Sequence, residues 1–409
     1  MSERTTFVLK IAGLILATIL IALALYMVFF RNAVSTIVTE TPDTGTSGTL
    51  PGSETGAPTG TTGTGTSSGG TTGSPTLTPS NTAKGGETFT TLLTNTAVKS
   101  PTVTANGTIA YYDPADGKFY TIGADGKVVA MSNVSFPKAE TITFDTAATN
   151  AVIEFPDGSN VVYDFDAAKQ VTLPSHWEDF SFSSDGSAIA AKSVGNSVSN
   201  RALVVTNTDG TSTKVLASLG ENDSKVSVSW SPNNTVLGFS ATGGNTGDAF
   251  GQQEIYLIGV DGEAAGALIV DGSHFRNIWA PDGKHLLYSI SEPGNAYKPT
   301  LWYADSRGDR KGDSRKKMSI VTVVEKCTFA SATLAYCGVP RVMPAGGGSD
   351  LSLITEPDDV YSIDVTTGNA RLVAIPASDT KVFSPSVSSD GKNFFYADEA
   401  GRLNVIRLK

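Results

Sequence analysis

Two cysteines and three histidines in 409 residues leave little material for several kinds of chemistry. His176, His274 and His285 show no metal-ligand spacing and none stands near either cysteine in sequence, so no metal is expected. The region after Glu87 has no Gly-x-Ser-x-Gly elbow and no glycine-rich loop opening a helix. That argues against an α/β-hydrolase nucleophile and against a phosphate cradle, and no cofactor is expected. Charge is sparse and unbalanced, with 40 carboxylates against 30 cations and a net charge of −10, which argues against nucleic acid as a partner. Helical periodicity is missing too: after Glu87 the chain consists of short apolar runs separated by turns.

One long apolar run is present. Residues 11–30, IAGLILATILIALALYMVFF, carry no charge and at helical rise would span ~30 Å of hydrocarbon. A transmembrane helix is predicted there. The run is too long for a cleavable signal core and leads into Phe29, Phe30 and Arg31 rather than small residues, so it reads as a retained anchor. Arg4 and Lys10 precede it while Glu40 and Asp43 follow, which predicts residues 1–10 in the cytoplasm and everything after the helix outside it. From residue 31 to 86 the composition falls to Thr, Gly, Ser and Pro. Such a segment cannot bury enough surface to offset its ordering entropy, and it is predicted to be a flexible linker reaching ~35 to 40 Å.

From residue 87 to 409 one phrase recurs: strand, polar turn, apolar strand. Its copies include TITFDTAATNAVIEF from Thr141, DFSFSSDGSAIAA from Asp179, NIWAPDGKHLLYS from Asn277, KCTFASATLAYC from Lys326 and SVSSDGKNFFYA from Ser386. Seven copies at a spacing of roughly 40 to 60 residues predict an all-β, seven-bladed β-propeller. The last copy stops after a third strand, at RLNVIRLK, whereas TFTTLLT from Thr88 precedes the first full blade. Pairing the two would build the seventh blade from both chain ends and hide its edges; six blades or an open ring is the alternative. The copies FSFSSDG, IWAPDGKHLLYS and VSSDGKNFFYA resemble TolB-like and WD-repeat-like propellers. That resemblance implies the fold but no particular activity, since such propellers serve as docking platforms, carbohydrate binders and regulatory domains. The chain departs from TolB in having the anchor and linker where TolB has an N-terminal α/β domain.

Cys327 and Cys337 bracket the sixth turn, on strands that the repeat makes neighbours, so a disulfide is expected; two buried free thiols are the alternative. Arg307 to Lys317, RGDRKGDSRKK, gathers six cations and reads as an anion-contacting loop or simply as a solvated one. The repeated Asp-Gly aspartates, Asp185, Asp282 and Asp390 among them, are assigned to their own turns rather than to catalysis.

Long insertions begin at Ala241, Ser291 and Gly338, each between the second and third strands of consecutive blades, where loops share one face. Phe250, Tyr297, Arg341 and Met343 are the candidate anchors for a partner, with Asp350, Glu356 and Asp358 supplying polar contacts. The expectation is a membrane-tethered, extracytoplasmic, non-catalytic propeller that binds a protein or glycan of the cell envelope. The alternative is a propeller hydrolase or lyase acting on envelope polysaccharide, for which paired carboxylates in the central funnel would be required.

Overall fold

The computed structural model describes residues 79–409, apart from Ala105 and residues 244–250. The apolar run 11–30 and most of the linker lie outside the described residues; within them, no helix is long and apolar enough to cross a membrane.

Seven antiparallel sheets follow one another along the chain, so the seven-bladed β-propeller is what the sequence forms. Blade 1 runs from the strand Lys99–Val103 to Val128–Ala130, blade 2 from Thr141–Phe144 to Lys169–Leu173, and blade 3 from Trp177–Phe182 to Lys214–Ser218. Blade 4 spans Val226–Val228 to Ala264–Asp271, blade 5 Ser273–Trp279 to Lys316–Lys317, and blade 6 Cys327–Phe329 to Asn369–Pro376. Blade 7 holds Phe383–Val387, Asn393–Ala397 and Leu403–Arg407.

The second strand of each blade explains the apolar runs of the repeat. Ile109 to Tyr112 and Phe394 to Ala397 are buried at every position, because both faces of these strands pack against neighbouring blades. Between blades the cores form a closed cycle. Tyr112 and Phe119 of blade 1 meet Ile142 and Ile153 of blade 2, and the cycle ends where Phe395, Leu403 and Val405 of blade 7 meet Ile109 and Ile122 of blade 1.

The ring is sealed from both chain ends. Thr91–Leu92 is the fourth strand of blade 7, with Thr91 opposite Val405 and Leu92 opposite Asn404. The preceding residues do something the sequence pattern did not announce: Gly86–Thr88 adds a fifth, parallel strand to blade 6, aligned with Ala374 to Pro376. Pairing therefore begins before residue 87. Ala83 donates its N–H to the Arg407 carbonyl and Gly85 to that of Val373, so the linker boundary drawn at residue 86 falls inside the ordered propeller.

Cys327 and Cys337 face each other across the first two strands of blade 6 and are joined by a disulfide.

Candidate functional site

Up-and-down strand order puts the loops between second and third strands on the same face as the entry to each innermost strand. This face surrounds one mouth of the central channel. Counting back three residues from Val103, Phe144, Phe182, Trp230, Trp279, Phe329 and Val387, which occupy the same place in the repeat just before its first turn, gives one equivalent position per blade toward this mouth: Ser100, Thr141, Asp179, Ser227, Arg276, Lys326 and Ser384. Three of the seven are charged, and each of the three is tied to other elements of the fold.

Asp179 accepts a hydrogen bond from the Val228 N–H of the next blade at 2.9 Å and lies 3.5 Å from the buried Lys192 ammonium. Burial pushes its carboxyl up despite these partners. Arg276 pairs with Glu325 at 3.0 Å and donates to the Gly348 carbonyl at 2.8 Å, linking blade 5 to the segment entering blade 6 and to the blade 6 loop. Lys326 is buried and pairs with the fully buried Asp358, which also accepts the Val382 N–H ahead of blade 7. Burial raises the Asp358 carboxyl, and the Lys326 ammonium opposes that rise.

The insertion of blade 6, residues 341–357, folds back over this mouth. Gly346 and Gly348 donate their N–H groups to the carbonyls of Ala296 and Tyr297 in the blade 5 insertion, both at 2.8 Å. A side chain on Gly348 would sit 2.8 Å from both Tyr297 O and Ser291 Cβ, so the two loops approach this closely because residue 348 is glycine. Val323, Met343 and Ile354 form a small core beneath the loop.

Between blades 6 and 7 this packing leaves a cavity of about 450 Å³. Its apolar wall is Val323, Leu351, Ile354, Val382 and Phe383, and its polar groups include Lys326, Lys381 and Ser384. Phe383 remains 43 % exposed, with the Lys326 and Lys381 ammonium groups 5.1 and 5.9 Å from its ring centre. Leu353 and Val342 are exposed on the same insertion. An apolar rim of this kind beside a pocket is the usual appearance of a binding surface.

The residues singled out from sequence fall into separate places. Phe250 lies outside the described residues. Tyr297 is exposed, and its backbone carbonyl holds the blade 6 loop. Arg341 bonds Asp359 and Asp379 at 3.0 and 2.6 Å, bridging the base of the loop to the connection into blade 7. Asp350 accepts from the Ser352 N–H at 2.9 Å and caps the short helical turn Leu351–Leu353, whose Leu351 and Ser352 line the cavity; Glu356 is exposed. Met343 requires correction: it is buried in the small core and fills the loop from inside, so it cannot act as a surface anchor. Asp358 is equally inaccessible, and its part is to hold Lys326.

Lys326, Lys381 and Phe383 were missed. The one available signal was a cation at the same repeat position in two consecutive blades, Arg276 and Lys326. The basic loop is largely satisfied internally. Arg307 and Arg310 lie at Asp305, Arg315 at Asp271, and Lys317 over the Trp302 ring.

Across the mouth, Glu154 is half-buried and its carboxyl is pushed up, first by burial and then by the charges of Asp179, Glu178 and Glu140. Among the described residues no group of three or more His, Cys, Asp or Glu side chains is arranged to hold a metal ion.

No protein-family model matches the chain, and no curated protein matches it. Among solved structures it is similar to an oligogalacturonate lyase in complex with manganese, at 13 % identity and a TM-score of 0.54, over 78 % of this chain and 93 % of that one. The oligogalacturonate lyase of Vibrio parahaemolyticus is similar over the same shares, at 12 % identity and a TM-score of 0.54. The tricorn protease matches at 10 % identity and a TM-score of 0.47, over 76 % of this chain and 34 % of that one. At these identities the likeness to the two lyases is one of fold alone, in keeping with the seven sheets of the chain from residue 79 onward.

Proposed function

We propose that the chain is a membrane-tethered, extracytoplasmic, non-catalytic propeller that binds an envelope component at the mouth over blades 5 to 7. The observation that carries this reading is the blade 6 insertion, pinned to blade 5 through Gly346, Gly348 and Arg276 so that it walls a preformed, largely apolar cavity. A preformed pocket saves the ordering cost that a loose loop would add to binding. The anchor expected at 11–30 and the linker after it would keep the propeller among the components of the envelope.

Photo-crosslinking in intact cells tests the site. A crosslinkable residue at Leu353, exposed between the cavity-lining Ser352 and Ile354, is expected to give discrete adducts. One at Val215, on the outer edge of blade 3, is expected to give none. Equal adducts from both, or none from Leu353, would sink the reading. Deleting residues 11–30 is expected to move the protein from the membrane to the soluble fraction.

A second reading is favoured by the raised Glu154 carboxyl among Glu140, Glu178 and Asp179, and by the lyases among the similar propellers. A carboxyl that keeps its proton more readily than an ordinary glutamate could serve as the proton-transfer group of a lyase acting on an anionic polysaccharide. Incubation with oligogalacturonate, monitored for new ultraviolet absorbance from an unsaturated product and repeated with Glu154→Gln, decides it: turnover lost in the variant would replace the non-catalytic reading.

A further inference from the structure

We infer that the cavity between blades 6 and 7 receives the free carboxyl end of a polypeptide whose last side chain is apolar. This rests on reading that cavity as the binding site, and three observations carry it further.

The first is charge. Of the ionic groups lining the cavity, Lys326 is committed to Asp358 and to the Val382 carbonyl, and Glu325 is committed to Arg276. The Lys381 ammonium meets no carboxylate or carbonyl among the described residues and rests near the face of Phe383. The cavity thus offers one uncommitted charge. That charge is positive, on a chain whose net charge is −10. A single carboxylate is its complement.

The second is the apolar wall. Leu351 and Phe383 stay exposed beside buried Val323, Ile354 and Val382, and covering such surface is worth ~25 cal/mol per Å². The ligand therefore brings an apolar group and a carboxylate close together. A terminal residue such as leucine carries both on one carbon.

The third is a second polar group on the same wall. Val323, Ile354 and Val382 of the wall are buried, and Met343 packs against Val323 and Ile354. Beside them the Ser384 hydroxyl, which has no hydrogen bond among the described residues, lines the cavity and is free to meet the terminal carboxylate. Capture of a chain terminus in this way is a recurring mode of peptide recognition.

The test uses the full-length protein in detergent and fluorescein-labelled hexapeptides with five random residues followed by leucine, read by polarisation. The free acid is expected to bind at least tenfold more tightly than the same pool with an amidated terminus. Lys381→Met should lower the acid to the level of the amide and leave the amide unchanged. Equal binding of acid and amide, or an unaffected acid in Lys381→Met, would overturn the assignment. So would competition by 4-methylpentanoate at the peptide's own affinity, which would make the ligand a small acid. If no peptide binds while the Leu353 crosslinker still forms its adducts, the carboxyl-terminus assignment fails and the site stands; if both fail, the site reading fails with it.

Discussion

The two faces of the propeller put the same side chain to different uses. On the face of the tight turns, each aspartate bonds its own neighbours: Asp185 accepts from Ser183 and Ser187, Asp209 from Thr211, and Asp390 from Ser388 and Lys392. At the opposite mouth carboxylates bind partners distant in sequence, Asp358 with Lys326 and Val382, Glu325 with Arg276, Asp179 with Val228. Turn aspartates shape a blade from within, whereas mouth carboxylates fix blades to one another and leave a cavity between two of them. Local bonding builds the repeat, and non-local bonding makes one part of the ring differ from the rest.

Substitutions can break this contrast, starting with the most costly. Asp358→Ala would strand the buried Lys326 ammonium without its carboxylate, and a loss of about 3 to 5 kcal/mol in unfolding free energy is expected. Pairing it with Lys326→Met should restore most of that loss. Denaturant titration of both variants checks this, and a loss below ~1 kcal/mol in the single variant would mean the pair is not what joins blades 6 and 7. Arg276→Met removes a half-buried pair and a bond to the blade 6 loop. The expected cost is only ~1 kcal/mol, but limited proteolysis should find residues 341–357 cut sooner; an unchanged cutting rate would place the loop's support elsewhere.

The smallest effect is also the sharpest. Hydrogen bonds from Ser388 and Lys392 hold the Asp390 carboxyl down to about 2. A carboxyl held below its ordinary value of 3.8 stabilises fully above that value, and the contribution fades as pH falls through about 2. Asp358 has the opposite sign. Its folded state holds a proton more readily than the unfolded chain, so stability slips as pH rises through its folded value. NMR titration of Asp390 should therefore give a midpoint near 2 that climbs toward 3.8 in Ser388→Ala; a midpoint already at 3.8 would remove the local bonding from the account.

That same contrast explains what could be read in advance. The turn Asp-Gly pairs, the apolar second strands and the truncated last copy are local features, and from them followed the seven blades and the strand Thr91–Leu92 closing the ring. The mouth was legible only as loop length. Met343 looked like an anchor because nothing in sequence places it over Val323 and Ile354, and Lys326 was passed over because its partner lies 32 residues away. Gly86–Thr88 was invisible for a related reason. A parallel strand on the edge of blade 6 needs no hairpin turn and leaves no turn signature.

That added strand also sets a mechanical order. Force arriving through the chain before residue 79 meets the bonds of Ala83 and Gly85 and the parallel strand on blade 6 first, and reaches Thr91 and Leu92 only once those have given way. Residues 80–88 would thus act as a fuse in series with the seal: a tethered propeller under pull would give up a few residues of slack before its ring was asked to bear load.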